Sequence, residues 1–525
     1  MDKGTLSNYG WLVIVTLILA VMLAFATPFG TYVGDGVVSV ANGIVGTSND
    51  ATAEENISQE SVEWAVKTDH GIDYNEYKYY NSLNDAMEAV NNNSYTTASP
   101  KLKNNSVVVG VSKDGNTPVV RLLKNVDVKE GIVINGNVII DLNKKTITTN
   151  NIDKVFTINK NGFKFFIMNG FINSSETAYL IHSQNIENLS INLSDLSFNI
   201  SSDNLDMVRY IFLNSSSGSF DVNQPRNNFV FKNLSFKYNG KSPFRAITAG
   251  YSNFDFQNIN INADGKNALY GISVSLSNGS LNNSKMSITY TDTEKVANST
   301  CVTVNQCENI EINNVDFYMF SDYIGSTIYS TENSLTPLGI SLNGAKNVSV
   351  NNAKIKIKGI NSNPQTITTT SLGAQNVNIN NCNLECVYDL RPNYSYSKVV
   401  TNVSFWNIPS VKINNTKIIS NSNVNYEYLM CVALSDAQNP DTPSNVELYN
   451  CQLINNSQNG FASIFHINSP SKSNDIKFFD CNLVAKNGFY NNQSSVTTNI
   501  LLKNSKYDFS DSLISNGSVN IQEQN

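Results

Sequence analysis

A pattern of apolar and polar positions recurs along most of the chain and is interrupted each time by one Asn or Asp. In residues 348–355 (VSVNNAKI), apolar and polar residues alternate up to Asn352, and a second alternation begins after one small residue. Twelve such units occur at separations of 24 to 38 residues, too irregular for the repeat families of fixed period. Their interrupting residues are Asn169, Asp195, Asn233, Asn258, Asn283, Asn314, Asn352, Asn381, Asn415, Asn450, Asp480 and Asn504.

Each unit predicts two short strands joined by a tight corner. Alternation with period two places one face of a strand against a core, and Asn or Asp enters the left-handed backbone region more readily than most residues. Units stacked at the strand spacing of about 4.8 Å would bring their corner amides within hydrogen-bonding reach. The residues predicted to form this asparagine ladder are Asn233, Asn258, Asn283, Asn314, Asn352, Asn381, Asn415, Asn450 and Asn504.

A third short strand is predicted upstream of most corners, as in Phe156–Ile158, Ile272–Val274 and Val302–Val304. Three strands per coil, parallel between coils, predict an all-β solenoid with three parallel sheets over residues 79–510. Because each coil buries its apolar face only against its neighbours, such a stack needs caps at its ends. We expect an amphipathic helix over residues 82–91 at one end and the polar tail 511–525 at the other.

This arrangement resembles the right-handed parallel β-helix proteins of the pectin-lyase-like superfamily, over roughly residues 100–510. The superfamily includes polysaccharide lyases, glycoside hydrolases, phage tailspikes, adhesins and exported proteins without known activity. The resemblance therefore implies a fold and an exported location but no single function. It also implies that a bound polysaccharide would lie along the first of the three sheets.

The N-terminus is strongly apolar. Residues 4–34 carry no charge, and the stretch from Tyr9 to Phe29 is long enough for one membrane-spanning helix with aromatic residues at its ends. The alternative is a cleaved signal peptide, because residues 24–26 (AFA) have the form of a cleavage site. In both cases Lys3, on the N-terminal side, predicts that the body lies outside the cytoplasm. We expect segment 1–33 to be this anchor or signal, and 34–78 to be a linker.

Charge and cysteine content exclude several function classes. The net charge is -7, and few of the 36 basic residues are Arg, so nucleic acid is an unexpected partner. Seven Cys in 525 residues form neither a dense disulfide framework nor a zinc-finger spacing. We expect buried free thiols, no metal and no cofactor.

The predicted first sheet contains no paired carboxylates. Its outward central residues are predicted to be Thr157, Phe212, Thr248, Ser273, Thr303, Ser341, Ser371, Ser404, Ala433 and His466. Hydrolysis of a glycosidic bond ordinarily uses two carboxyl groups, and the lyases of the superfamily hold calcium with carboxylates. We therefore expect a non-catalytic surface protein for adhesion, glycan binding or envelope structure. The alternative is a polysaccharide-cleaving enzyme, for which Arg209 and Arg245 are the first residues to examine.

Two long loops are rich in aromatic residues. Aromatic rings pack on the apolar faces of sugars, and acids and amides bind sugar hydroxyls, so these loops could bind an extracellular polysaccharide. The alternative is that the same side chains pack against their own coils. The candidate ligand-binding residues are Tyr318, Asp322, Tyr323, Tyr388, Asp389, Arg391, Tyr394, Tyr396 and, on the sheet itself, His466.

Overall fold

Over the residues that it describes, the computed structural model is an all-β solenoid with one short helix. It describes residues 78–96, 99, 102–112, 117–214, 226–292, 298–323, 336–370, 372–391, 399–422, 428–435, 444–457, 461–468, 474–491, 497–516 and 519–524. The predicted membrane or signal segment, most of the linker, and Tyr394 and Tyr396 lie outside these residues. Within them, the structure contains no helix of the length and apolarity that a membrane crossing requires.

The helix, α1 (Leu83–Asn91), lies at the N-terminal end of the solenoid, as predicted. Ser82 is its N-cap, and its hydroxyl accepts a 3.1 Å hydrogen bond from the backbone N–H of Asp85. The apolar face of α1, including Met87, is buried against the first strands. Three of these strands pair antiparallel: β1 (Lys78–Tyr80), β2 (Val107–Val111) and β3 (Pro118–Leu122).

From β3 onward every strand pairs in parallel with the strand one coil later, which produces three ladders. The first ladder contains β5 (Ile132–Ile134), β8 (Lys154–Ile158), β10 (Tyr179–Gln184), β12 (Val208–Asn214), β14 (Phe244–Gly250), β16 (Leu269–Ser275), β19 (Thr300–Asn305), β22 (Leu338–Asn343), β25 (Gln365–Thr369), β28 (Val399–Trp406), β31 (Tyr428–Ser435) and β34 (Phe461–Asn468).

The second ladder begins with β3 and runs along the strands that precede the Asn or Asp corners. Its further members are β6 (Val138–Asp141), β9 (Lys164–Ser175), β11 (Ser190–Ser202), β13 (Asn227–Gly240), β15 (Ser252–Gly265), β17 (Asn278–Asn282), β20 (Asn309–Asn313), β23 (Ala345–Asn351), β26 (Ala374–Asn380), β29 (Ser410–Asn414), β32 (Asn445–Tyr449), β35 (Asp475–Phe479), β37 (Thr498–Lys503) and β39 (Val519–Gln524).

The third ladder follows the corners and includes the second halves of β9, β11, β13 and β15. Its remaining members are β4 (Val126–Val128), β7 (Thr146–Asn150), β18 (Lys285–Asp292), β21 (Asp316–Tyr323), β24 (Lys354–Ile360), β27 (Asn383–Asp389), β30 (Lys417–Ser422), β33 (Gln452–Asn455), β36 (Asn482–Asn491) and β38 (Lys506–Asn516).

The corners between the second and third ladders have the backbone conformation that their residue types favour. All twelve Asn and Asp residues that interrupt the repeated pattern have a positive φ, between 48° and 61°. The inward side chains of all coils form one continuous core, which contains large rings such as Phe198, Tyr210 and Phe236. The local pattern and the stacking of coils therefore agree along the whole described body.

Three details differ from the sequence-based expectation. The residue of the first ladder between Ser341 and Ser404 is Thr368, not Ser371, because β25 ends at Thr369. His182 lies on a complete strand of the first ladder, β10, in the same column as those residues. Parallel pairing also continues past residue 510 through β38 and β39, because the pattern in Val519–Gln524 (VNIQEQ) begins with the same apolar alternation.

Candidate functional site

The outward side of the first ladder presents two columns of side chains, which we call the first-ladder face. The in-register pairing places residues 154, 179, 209, 245 and 270 in one column. It places residues 157, 182, 212, 248 and 273 in the next. The two columns are three residues apart on each strand, with two buried residues between them, such as Leu180 and Ile181 in β10. Equivalent residues of adjacent strands lie about 4.8 Å apart. Residues far apart in the chain therefore meet on this face.

A group of cationic and aromatic side chains occupies the N-terminal half of this face. We call it the cation–aromatic cluster, and its members are Lys154, Tyr179, His182, Arg209, Phe212, Arg245 and Tyr270.

The rings in the cluster contact one another across strands. The edge of Tyr179 meets the His182 ring, with the centroids 4.8 Å apart, and His182 stacks on Phe212 at 5.6 Å. Lys154 Nζ lies 5.9 Å from the centroid of Tyr179, and Arg209 Cζ lies 5.7 Å from that of Phe212. Cations and rings at these distances attract each other, so the cluster is a continuous half-exposed surface.

Arg209 and Arg245 are paired residues on adjacent strands, and no described carboxylate forms an ion pair with either. The Arg245 guanidinium lies over the Tyr270 ring, with Cζ 4.6 Å from the centroid, and its Nε is buried without a hydrogen-bond partner among the described residues. Burial and the neighbouring Arg209 charge lower the pKa of Arg245 from its ordinary value. Arg209 Nε donates to the sulfur of Met207 at 3.3 Å, and the remaining donors of the two adjacent guanidinium groups form an arrangement that fits an anion.

The pKa of His182 is lowered from its ordinary value. Burial in the cluster is the main cause that lowers its pKa, and the nearby Lys154 charge lowers it further, while Asp153 partly opposes both. A neutral imidazole on the strand next to that of Arg209 can accept a proton from a bound molecule.

The C-terminal half of the first-ladder face has a different character. It carries short side chains, and several of its central residues are buried: Ser341, Thr368, Ser404, Ala433 and His466. His466 is 6% exposed, its Nε2 has no described hydrogen-bond partner, and burial lowers its pKa to about 4. Its ring lies 5.3 Å from that of Tyr490. A bound ligand would find little accessible surface at this His.

The candidate residues of the aromatic loops lie on the third ladder, and several are engaged there. Arg391 donates through one nitrogen to both carboxylate oxygens of Asp322, at 2.6 and 2.7 Å. Asp389 forms a 3.1 Å salt bridge with Lys358. The Tyr388 side chain is fully buried in the core, so a ligand at the surface cannot reach it.

Of the remaining loop candidates, Tyr323 is partly buried against the core, whereas Tyr318 is 38% exposed on the outer side of the third ladder. The candidates that the structure describes therefore lie on a salt-bridged surface of the third ladder.

Corner amides form hydrogen-bonded chains along the stack. Asn258 donates to Asn233 at 2.8 Å, and Asn352 donates to Asn314 at 3.0 Å. Further links along the corners join Asn233 to Asp195, Asn314 to Asn283 and Asn450 to Asn415. A second amide chain, one residue before the corners, links Asn282, Asn313, Asn351, Asn380 and Asn414. These chains stabilise stacking and do not form a pocket.

All seven Cys are free and buried, as expected. Burial raises the pKa of Cys307 and of Cys382 to about 11, so both are protonated thiols near neutral pH. In the part of the chain that the structure describes, no group of three or more His, Cys, Asp or Glu side chains has an arrangement suited to a metal ion.

The cation–aromatic cluster was not predicted as a unit. Arg209 and Arg245 were named only as the first residues to examine. A usable signal was present, because Arg occurs at the same offset before the paired residues Ile211 and Ile247. Aligning the strands on their inward residues, rather than on the central outward ones, would have placed both Arg in one column.

Comparisons with known proteins do not identify a family. No family model matches the chain, and no curated protein matches it. Among solved structures, the chain is similar to the crystal structure of the periplasmic alginate epimerase AlgG, with 8% identity and a TM-score of 0.23. The match covers 74% of this chain and 100% of that one. A likeness of this strength carries no argument about function.

Proposed function

We propose that this protein binds an acidic polysaccharide along the first-ladder face and does not cleave it. The observation that carries the proposal is the pair Arg209 and Arg245, which are in register, lack described ion-pair partners and are bordered by the rings of Phe212 and Tyr270. Guanidinium groups bind carboxylates and sulfates through paired hydrogen bonds, and ring faces pack on the apolar faces of sugars. An extended acidic polysaccharide can bind the guanidinium groups and pack on the rings at the same time.

The residues of the first ladder favour binding over hydrolysis. Neither the twelve strands from β5 to β34 nor the second half of β36 (487–491), which pairs with β34 and continues the ladder, contains Asp or Glu. Hydrolysis ordinarily needs two carboxyl groups on either side of the scissile bond. The acidic loop candidates Asp322 and Asp389 already pair with Arg391 and Lys358 on the third ladder.

A second candidate function is supported by His182. Removal of the proton next to a carboxylate, as in elimination or epimerisation of a uronic acid, needs a neutral base and a cation that neutralises the carboxylate. His182, whose pKa is lowered, could act as the base, and Arg209 or Arg245 could hold the carboxylate. Incubating the protein with acidic polysaccharides in D₂O distinguishes this function from binding. Deuterium incorporation or an unsaturated product that is lost in His182→Gln would show proton removal.

We also propose that the three ladders are the three sheets of a right-handed β-helix of the pectin-lyase-like kind, and that the segment from Tyr9 to Phe29 holds this body outside the cytoplasm. Left-handed alternatives and a cytoplasmic location are tested by a crystal structure and by protease accessibility of intact cells. Protection of the solenoid from protease added to intact cells would contradict the proposed location outside the cytoplasm.

Binding is tested with the full-length chain in mild detergent and a panel of acidic and neutral polysaccharides. We expect Arg209→Ala/Arg245→Ala to weaken binding of the acidic chains about a hundredfold, because hydrogen bonds to charged groups contribute about 1.5 to 3 kcal/mol each. The matched control is Lys232→Ala/Lys237→Ala, which removes two positive charges from exposed positions of β13. Equal losses in both double variants would show that only overall charge matters and would overturn the proposal.

A further inference from the structure

An open cavity lies beside the cation–aromatic cluster, and we call it the flank cavity. Its volume is about 470 Å³, within the range of ligand pockets. Its walls come from three successive turns that lead into β12, β14 and β16, and they include Asp203, Asp206, Met207, Lys241, Asn267 and Tyr270. Because the three turns belong to adjacent coils, the cavity exists only in the stacked structure.

Tyr270 connects the cavity to the proposed binding face. Its side chain lines the cavity, and its ring centroid lies 4.6 Å from Cζ of Arg245. A ligand held by Arg245 therefore has the flank cavity as its immediate neighbour.

The polar groups of the cavity differ from those of the cluster. Asp203 accepts hydrogen bonds from Lys241, through its backbone N–H at 2.9 Å and its Nζ at 3.1 Å, so these two charges neutralise each other. The Asp206 carboxylate, in contrast, forms no hydrogen bond or ion pair with any described residue. Asn267 uses its side-chain oxygen to accept the N–H of Ala268, which leaves its amide donors for a ligand.

Asn204 and Ser242 add further polar groups to the wall, and the rest of the wall is apolar. Met207, Pro243 and Ala268 accompany the Tyr270 ring. An aromatic ring, a carboxylate acceptor and amide donors in one concave site suit a sugar residue with its hydroxyl groups. The free carboxylate of Asp206 disfavours a second anion in the same space, because like charges repel.

We propose that the flank cavity binds one neutral sugar residue of the ligand, next to the acidic residue held by Arg209 and Arg245. The preferred ligand is then a heteropolysaccharide that combines acidic and neutral residues, rather than a polymer of acidic residues alone. This inference rests on the proposed function for the identity of the chain, but the cavity's preference for a neutral sugar can be measured by itself.

The direct test uses the full-length protein and neutral disaccharides of glucose, galactose and mannose, with binding followed by ligand-observed NMR. At least one disaccharide should bind, and Asp206→Ala should weaken its binding about tenfold, because a hydrogen bond to a charged group is lost. The control Asp264→Ala removes an exposed carboxylate from β15 outside the cavity and should change binding less than twofold. Absence of disaccharide binding, or equal binding by wild type and Asp206→Ala, would overturn the inference whatever the acidic polymers do.

A second variant tests the role of charge. Asp206→Asn keeps the size and the hydrogen-bonding oxygen but removes the charge. We expect it to retain neutral disaccharides and to bind acidic homopolymers about tenfold more tightly than the wild type does. Unchanged homopolymer binding in Asp206→Asn would show that this carboxylate does not exclude acidic sugars. Loss of all acidic-polymer binding in the Arg double variant, with disaccharide binding intact, would separate the two sites.

Discussion

The two halves of the first-ladder face are built on the same strands in the same register, yet they present different chemistry. In the N-terminal half, Arg209, Arg245 and their neighbouring rings remain half-exposed. In the C-terminal half, the equivalent central positions hold short or buried residues such as Ser341 and Ser404. The backbone ladder therefore provides only spacing, and the side chains on a few consecutive coils decide where a ligand can bind.

The cores of the two regions differ in the same way. Between residues 198 and 256 the core contains stacked rings, such as Phe198 on Phe236 at 4.5 Å and Phe231 on Phe256 at 4.7 Å. Between residues 301 and 386 aliphatic side chains and Cys dominate, as at Ile355 and Cys386. The coils of the candidate site thus rest on a more aromatic core than the coils of residues 301–386, and this contrast can be tested.

The largest effect is expected from removing a core ring. Phe236 is 1% exposed and stacks on Phe198, so Phe236→Ala should destabilise its coils by about 3 to 5 kcal/mol. Ile355→Val, in the aliphatic region, should cost only about 0.5 to 1.5 kcal/mol. Urea denaturation followed by circular dichroism measures both. Similar shifts of the two midpoints would contradict a difference between the two cores.

The next largest effect is expected to be a dependence of stability on pH, caused by His466 in the C-terminal half. Folded His466 has a pKa of about 4, whereas an unfolded His titrates near 6.5, so the unfolded state binds more protons between these values. Stability should therefore be complete above about pH 7 and fall by about 3 kcal/mol as the pH drops through this window. His466→Gln should remove this part of the pH dependence in urea titrations. His182→Gln should remove less, since His182 is only half-buried; a wild-type profile unchanged in His466→Gln would refute the assignment.

A negative charge introduced into each half of one column should affect ligand binding differently in the two halves. Arg245 and Gln365 occupy the same column, two and six coils along from Tyr179. Arg245→Glu should weaken acidic-polysaccharide binding about a hundredfold, equivalent to about 2.7 kcal/mol. Gln365→Glu, a nearly isosteric change, should weaken it less than threefold. Comparable losses at both positions would extend the binding site over the whole face.

The smallest effect is expected at the corners. Asn352 has a φ of 53° and donates to Asn314, so Asn352→Ala should cost about 1 to 2 kcal/mol from backbone strain and the lost hydrogen bond. Asn352→Gly should cost less, because glycine adopts a positive φ without strain. The ranking is measured by urea midpoints, and an equal cost for both variants would show that the amide hydrogen bond, rather than the backbone conformation, dominates.

The sequence by itself determined the coils and their corners. Alternation and a left-handed Asn are local requirements, so Asn352 and Asp480 could be recognised as corners without knowledge of their neighbours. The same holds for α1, whose N-cap Ser82 and apolar spacing are legible within ten residues. Because these requirements involve only residues close together in the chain, a short stretch of sequence is enough to recognise them.

Only the tertiary structure decided which side chains meet. Arg209 and Arg245 belong to coils of different length, and Arg391 reaches Asp322 across 69 residues, so their proximity depends on the pairing of strands. Successive side chains of a strand point to opposite faces, and the register of β27 decided that Tyr388 faces the core while Asp389 faces Lys358. A strand shifted by one residue exchanges its two faces, and the sequence pattern near loops is too short to exclude such a shift.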